Sequence, residues 1–242
     1  MTSFTPNGSI IEKSNSKIQT YLSHVYGWMA VGILLTGLVS WYTANSSLLN
    51  LLFDINSRGQ VSLSFLSIAL IVAELAIVFC LSPMIDRFSG KTATTLFMLY
   101  SVLNGITLSS IFICYTHSSI ASVFFITAGM FAALAFYGYT TKRDLTSWGS
   151  FLYMGLIGII IASIVNFFMG NQALMWAITY IGVFIFAGLT AYDTQKLKEF
   201  GEHLSQDDAN VFRRYVILGA LSLYLDFINL FILLLRIFAD RR

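Results

Sequence analysis

Long apolar runs with short polar punctuation make up most of this chain. Residues 18–53, 92–141 and 145–192 contain no Asp, Glu, Lys or Arg. The last two run for 50 and 48 residues, too long for one crossing of about 20 residues and suited to two joined by a tight turn. The runs are continuous, whereas the strands of a transmembrane barrel alternate apolar and polar residues. The pattern predicts seven helices, over residues 22–44, 61–82, 93–115, 119–140, 148–168, 173–195 and 216–238, the second stopping at Pro83. Seven spans of about 20 residues occupy about 140 residues. The reading is an all-α integral membrane protein with a polar cytoplasmic tail over residues 1–20 and one transmembrane domain over 21–242.

Composition sharpens this class. Charged residues are 11% of the 242, where a soluble domain carries about 25%. Hydrophobic residues are 57% and the mean hydropathy is +0.75. So few charges cannot cover a water-soluble globule, which excludes a cytosolic enzyme or a nucleic-acid-binding domain as the main body. The partner that composition demands is the lipid bilayer. The polar start lacks the early apolar core of a cleavable signal peptide.

Orientation follows from Lys and Arg in the short loops. With the N-terminus inside, the inner segments hold ten: Lys13, Lys17, Arg87, Lys91, Lys142, Arg143, Lys196, Lys198, Arg213 and Arg214. The outer loops hold Arg58 alone. Arg236, Arg241 and Arg242 oppose the rule if the last helix crosses fully; the alternative is a re-entrant late helix. Cys80 and Cys114 fall near opposite ends of their spans, across a layer about 30 Å thick, so no disulfide is expected between them.

Three acids fall within predicted spans: Glu74, Asp193 and Asp226. An acid at the bilayer centre costs roughly 2.5–3.5 kcal/mol on insertion scales, and such residues face the bundle interior and mark pathways. Asp226 stands about ten residues into the last helix, about 15 Å deep. Ser222, Asp226 and Asn229 are spaced by four and three and make one polar stripe, as expected of a helix enclosed by others. The stripe serves either a pathway or the gluing of helices. Asp193 ends the sixth predicted helix and is either solvated at the inner surface or turned in towards Asp226. Uncorrected boundaries leave a depth difference of about 10 Å between the two, which tilt or an early start of the last helix must close. Two carboxylates in contact cannot both ionise cheaply, and such a pair shares a proton. Protonation then ties the last two helices together, and its loss drives them apart or captures a cation. Arg87 is either an orientation-setting loop charge or a partner for Asp193. No HExxH, CxxC or phosphate-loop motif is present, and no cofactor or fixed metal is expected.

The chain resembles the Bax inhibitor-1 family, the transmembrane Bax-inhibitor-motif proteins, and its bacterial inner-membrane members most. The resemblance covers roughly residues 20–238. It rests on Tyr26-Gly27-Trp28-Met29-Ala30 with Thr36-Gly37, Asn104-Gly105 with Ser110-Ile111-Phe112, and Tyr139-Thr140-Thr141-Lys142-Arg143-Asp144-Leu145. It ends with Ala191-Tyr192-Asp193-Thr194-Gln195 and Leu223-Tyr224-Leu225-Asp226. The resemblance implies a seven-helix bundle with the last helix central and a pH-sensitive calcium leak. It implies Asp193 and Asp226 as sensor and gate, Arg87 as the nearest candidate for a latch, and Glu74 as a pore-lining acid. The segment 196–215 between the aspartates reads as a long loop. Some bacterial relatives are linked to a membrane-bound ATP-dependent protease. A non-conducting regulator that binds such a protease, or another membrane protein, is therefore the alternative function. An intramembrane enzyme rests only on two aspartates and lacks the companion Gly-Leu-Gly-Asp.

Overall fold

The computed structural model describes residues 6–55, 61–205 and 207–240. Helix α1 spans Pro6–Ala44, followed by the single turn α2, Leu49–Leu52. The polar residues from Pro6 to Thr20 are helical and run without a break into the first apolar stretch. Ile18, Tyr21, Leu22 and Val25 are buried, the i, i+3, i+4, i+7 face of one helix. Tyr21 packs its ring on Phe200 and Phe212 and donates its hydroxyl to the Tyr215 carbonyl at 3.2 Å.

A two-stranded antiparallel hairpin, β1 (Phe53–Ile55) and β2 (Val61–Leu63), follows, with Phe53 opposite Leu63 and Ile55 opposite Val61. The helix expected to begin at residue 61 therefore begins later, as α3 over Phe65–Leu81. Ser64 is extended and caps it by accepting from the Ser67 amide, the local bond that favours serine at an N-cap. Its hydroxyl also donates to the Leu51 carbonyl at 2.6 Å, and Ser67 donates to Leu52. These bonds hold the start of α3 at the end of the bundle where α1 finishes.

A 3₁₀ turn, Ile85–Arg87, leads to α4, Gly90–Thr107. The single helix expected over 93–115 is interrupted by a second 3₁₀ turn at Leu108–Ser110 before the short α5, Ile111–Cys114. Ser109 and Ser110 bond back to the carbonyls of Ile106 and Thr107, the side-chain competition that bends helices. Then come α6 (His117–Thr140), α7 (Thr146–Met169), α8 (Gln172–His203) and α9 (Ala209–Phe238). Helix α7 stops where Gly170 turns left-handed, at φ +63°, a conformation glycine adopts without Cβ strain.

Among the described residues six helices are long and apolar enough to cross a membrane, and α3, at 17 residues, is shorter. The 72% of the α9 apolar window that is buried compares with 6–39% in the other five, so α9 is the central helix and the rest surround it. Helices α8 and α9 are each unbroken over 32 and 30 residues. Most of the segment 196–215, expected as a loop, is helix: α8 continues to His203, and Asp208 caps α9 by accepting from the amides of Asn210 and Val211. At the far end of α9, Arg236 donates to the Thr179 hydroxyl at 3.2 Å, and the Asp240 carbonyl accepts from the Thr116 amide at 3.4 Å, at the start of α6. Exposed Phe151, Ile157, Ile161 and Phe168 on α7 give that helix a lipid-facing surface.

Candidate functional site

Two polar centres are built on different faces of α9. The first gathers Asp193 from α8, Tyr153 from α7 and Ser222 from α9. Ser222 Oγ donates to Asp193 Oδ2 at 2.5 Å, and Tyr153 Oη donates to Asp193 Oδ1 at 3.3 Å. Asp193 is 5% exposed, although it was expected at a helix end. The ten further residues of α8 carry its boundary outward and leave Asp193 inside the bundle.

Asp226 lies one turn beyond Ser222 on α9, about 6 Å along the axis. It is also 5% exposed, and its Oδ2 is buried with no hydrogen-bond partner. The bond to Asp193 sets Ser222 level with it, so the depth difference left by the sequence-based boundaries narrows to about 6 Å and does not close. Among the described residues no hydrogen bond joins the two carboxylates; they stand in series, with Ser222 bound to the first and Asp226 a turn deeper. Asn229 does not join them. Its Nδ2 donates to the Leu225 carbonyl of its own helix at 2.8 Å.

Asp193 faces a cavity of about 530 Å³, lined also by Tyr21, Ser82, Tyr153, Lys196 and Ser222. Tyr21 and Ser82 belong to the end of the bundle where α9 begins. The cavity is thus a vestibule from that end to Asp193, and Asp226 is not part of its lining. Lys196, one turn towards the mouth from Asp193, is exposed and lies over the Tyr192 ring at 5.9 Å. Small residues let the surrounding helices approach. A Cβ on Gly149 of α7 would fall 2.5 Å from the Tyr192 ring, and one on Gly138 of α6 would strike the Ala191 backbone.

The second centre holds Glu74. Its carboxylate accepts from Thr107 Oγ1 at 2.9 Å and from Asn104 Nδ2 at 3.2 Å. Asn104 Oδ1 accepts from Tyr224 Oη at 3.1 Å, and Tyr224 Oη pairs with Thr36 Oγ1 at 2.6 Å. This chain of side chains links α3, α4, α9 and α1, as expected of polar groups buried in a membrane bundle. Glu74 therefore belongs to a site separate from the aspartates.

Arg87 is exposed and forms no ion pair among the described residues. Its neighbour Asp86 makes the contacts to α9, pairing with Arg214 at 3.1 Å and accepting from Tyr215 Oη at 2.7 Å. Outside the spans, Asp144 accepts from the Thr146 amide at 2.8 Å. Bonds from the Thr146 side chain and backbone hold its carboxyl below the usual carboxylate range. Among the described residues no cluster of three or more His, Cys, Asp or Glu could hold a metal ion.

Sequence reasoning missed Tyr153 altogether, and Thr36, Asn104 and Tyr224 entered only within motifs, not as parts of these centres. Asn104 had a usable signal: an amide inside an uncharged 50-residue run must find partners. The tyrosines had none, because a membrane tyrosine is as readily an interfacial anchor.

Comparison with known proteins gives a consistent result. The family model described as "Inhibitor of apoptosis-promoting Bax1" matches residues 18–242. The chain is 57% identical over 238 residues to inner membrane protein YbhL of Escherichia coli (strain K12), covering 98% of each. It is 44% identical over 222 residues to an uncharacterized protein of Borreliella burgdorferi, covering 92% of each. A membrane protein of Streptococcus pyogenes serotype M1 is 33% identical over 232 residues, 95% of this chain and 96% of that one.

Proposed function

The chain belongs to the Bax inhibitor family of membrane proteins, and from that premise we propose that it is a pH-sensitive cation leak, for calcium above all, gated by Asp193 and Asp226. The observation that carries the reading is the vestibule that ends on Asp193 with Asp226 a turn behind it. A cation entering from the mouth meets a carboxylate, a hydroxyl and a phenol at the inner end. Hard oxygen ligands of this type suit calcium. When the acids carry protons they are neutral and offer no charge to a cation. When they lose them, the two charges in series repel each other and attract a cation. Proton concentration thereby sets both the attraction and the packing of α8 against α9.

The membrane is a bacterial inner membrane, as the name of the Escherichia coli relative says of that protein. The N-terminus and the vestibule mouth face the cytoplasm, where the Lys and Arg excess belongs. Helix α3 is the seventh crossing: its 17 residues are at the short end of what spans a bilayer. Its start is tied to the residues after α1 and its end leads to Asp86, which is bound to the beginning of α9.

The test is calcium flux into vesicles holding the purified full chain and a calcium-sensitive dye. The expected result is flux above that of empty vesicles, changing steeply between about pH 6 and 8. No flux above empty vesicles anywhere in that range overturns the reading.

A further inference from the structure

A separate groove lies on the flank of the bundle. Helices α1 and α6 both pack on α9. Between them a hollow of about 450 Å³ is floored by Phe227 and walled by Met29, Ile33, Ala128 and Ala132. Past Ile33 and Phe227 it continues into a second hollow of about 380 Å³ that reaches Trp41 and His117. Neither shares a lining residue with the Asp193 vestibule. From Tyr26 to Trp41 the groove follows α1 for about 22 Å, most of a hydrocarbon layer about 30 Å thick.

Depth and charge together identify an occupant. Both walls are helices long and apolar enough to cross the membrane, so the groove opens into hydrocarbon along its length. A helix from a second copy is about 10–12 Å across and over this length fills on the order of 2,000 Å³; each hollow is several times smaller, the scale of a flexible chain. The end of the groove at Tyr139 is cationic. Lys198 Nζ donates to the Tyr139 carbonyl at 3.0 Å and lies 5.1 Å over that ring. An ammonium has three donors, so this bond leaves two for another acceptor. Lys142 and Arg143, both exposed, follow a few residues along.

We propose that this groove binds one anionic phospholipid, an acyl chain lying between α1 and α6 on Phe227 and the phosphate meeting Lys198. A phosphate accepts charge-assisted bonds from an ammonium, and basic residues at the inner surface attract anionic lipid.

Native mass spectrometry of the full chain, incubated with equimolar phosphatidylglycerol and phosphatidylethanolamine, tests this. The wild type retains one phosphatidylglycerol. Ala132→Trp, which fills the groove from its open side, lowers retention about tenfold, the effect of excluding roughly two methylenes. Leu34→Trp, on an exposed part of α1 outside the groove lining, leaves retention unchanged. Lys198→Gln keeps a lipid but loses the preference for the anionic headgroup. The proposal is overturned by a wild type that retains no lipid or carries a second protein copy in its place, or by Ala132→Trp binding like the wild type. An undiminished anionic preference in Lys198→Gln overturns the headgroup assignment, and this variant decides that point even if Ala132→Trp does not fold.

Discussion

Gly138 on α6 faces Ala191 on α8, two residues before Asp193, and a side chain there forces the two helices apart. A Cβ built on Gly138 meets the Ala191 carbonyl oxygen and lies 3.0 Å from its Cα, against an ordinary contact of 3.4–4 Å. The obstruction is backbone, which cannot swing aside as a flexible side chain can. Relief requires α6 and α8 to separate, and overpacking of this sort costs typically 1–3 kcal/mol. For a chain of this size about 1 kcal/mol moves the melting temperature by roughly 2–4 °C, so Gly138→Ala lowers it by roughly 2–12 °C. Gly129→Ala on the same helix is the matched control, because nothing lies within 4 Å of its Cβ. Removing backbone freedom without a clash stabilises by about 0.4–1 kcal/mol, so Gly129→Ala leaves the melting temperature unchanged or slightly raised. Both are read by thermal unfolding of purified protein in one detergent. Equal effects of the two substitutions refute the close α6–α8 contact that fixes the position of Asp193.

Other consequences follow from the two polar centres. Ser222→Ala removes a bond donated to Asp193, and bonds to charged groups are worth about 1.5–3 kcal/mol. The lost donor favoured the charged form, so the midpoint of flux against pH moves upward; a midpoint that stays put contradicts the role given to this bond. Tyr153→Phe, at the longer 3.3 Å, moves the same midpoint the same way by less. Tyr224→Phe strips Asn104 Oδ1 of its donor inside the bundle. An unsatisfied buried acceptor costs about 1–3 kcal/mol, which thermal unfolding registers as a drop of roughly 2–12 °C; an unchanged melting temperature refutes the Glu74–Asn104–Tyr224 chain.

Much of the architecture was legible because lipid allows few solutions: uncharged runs of helix length must be helices. The spacing of Ser222 and Asp226 also marked α9 as enclosed, since a single polar stripe has no place facing hydrocarbon. Four features were out of reach for physical reasons. The short hairpin leaves no periodic signal in six strand residues, so Val61–Leu63 read as the start of a helix. Partners of Glu74 depend on the register between α3 and α4, which no spacing within either helix reveals. Asn229 shares the spacing of the stripe yet bonds to its own backbone, because an amide can satisfy itself locally where a buried carboxylate cannot. The boundary of α8 was misjudged because charged Lys196, Lys198 and Glu199 end the apolar pattern while the helix continues into water.

The central claim is that a proton on the acids in series, Asp193 and Asp226, decides whether a cation passes. It is tested most directly by the pH dependence of calcium flux through Asp226→Asn in reconstituted vesicles, beside the wild type at equal protein density. The account predicts that the neutral amide flattens the dependence on pH. A profile with the wild-type midpoint and steepness, at undiminished flux, contradicts it.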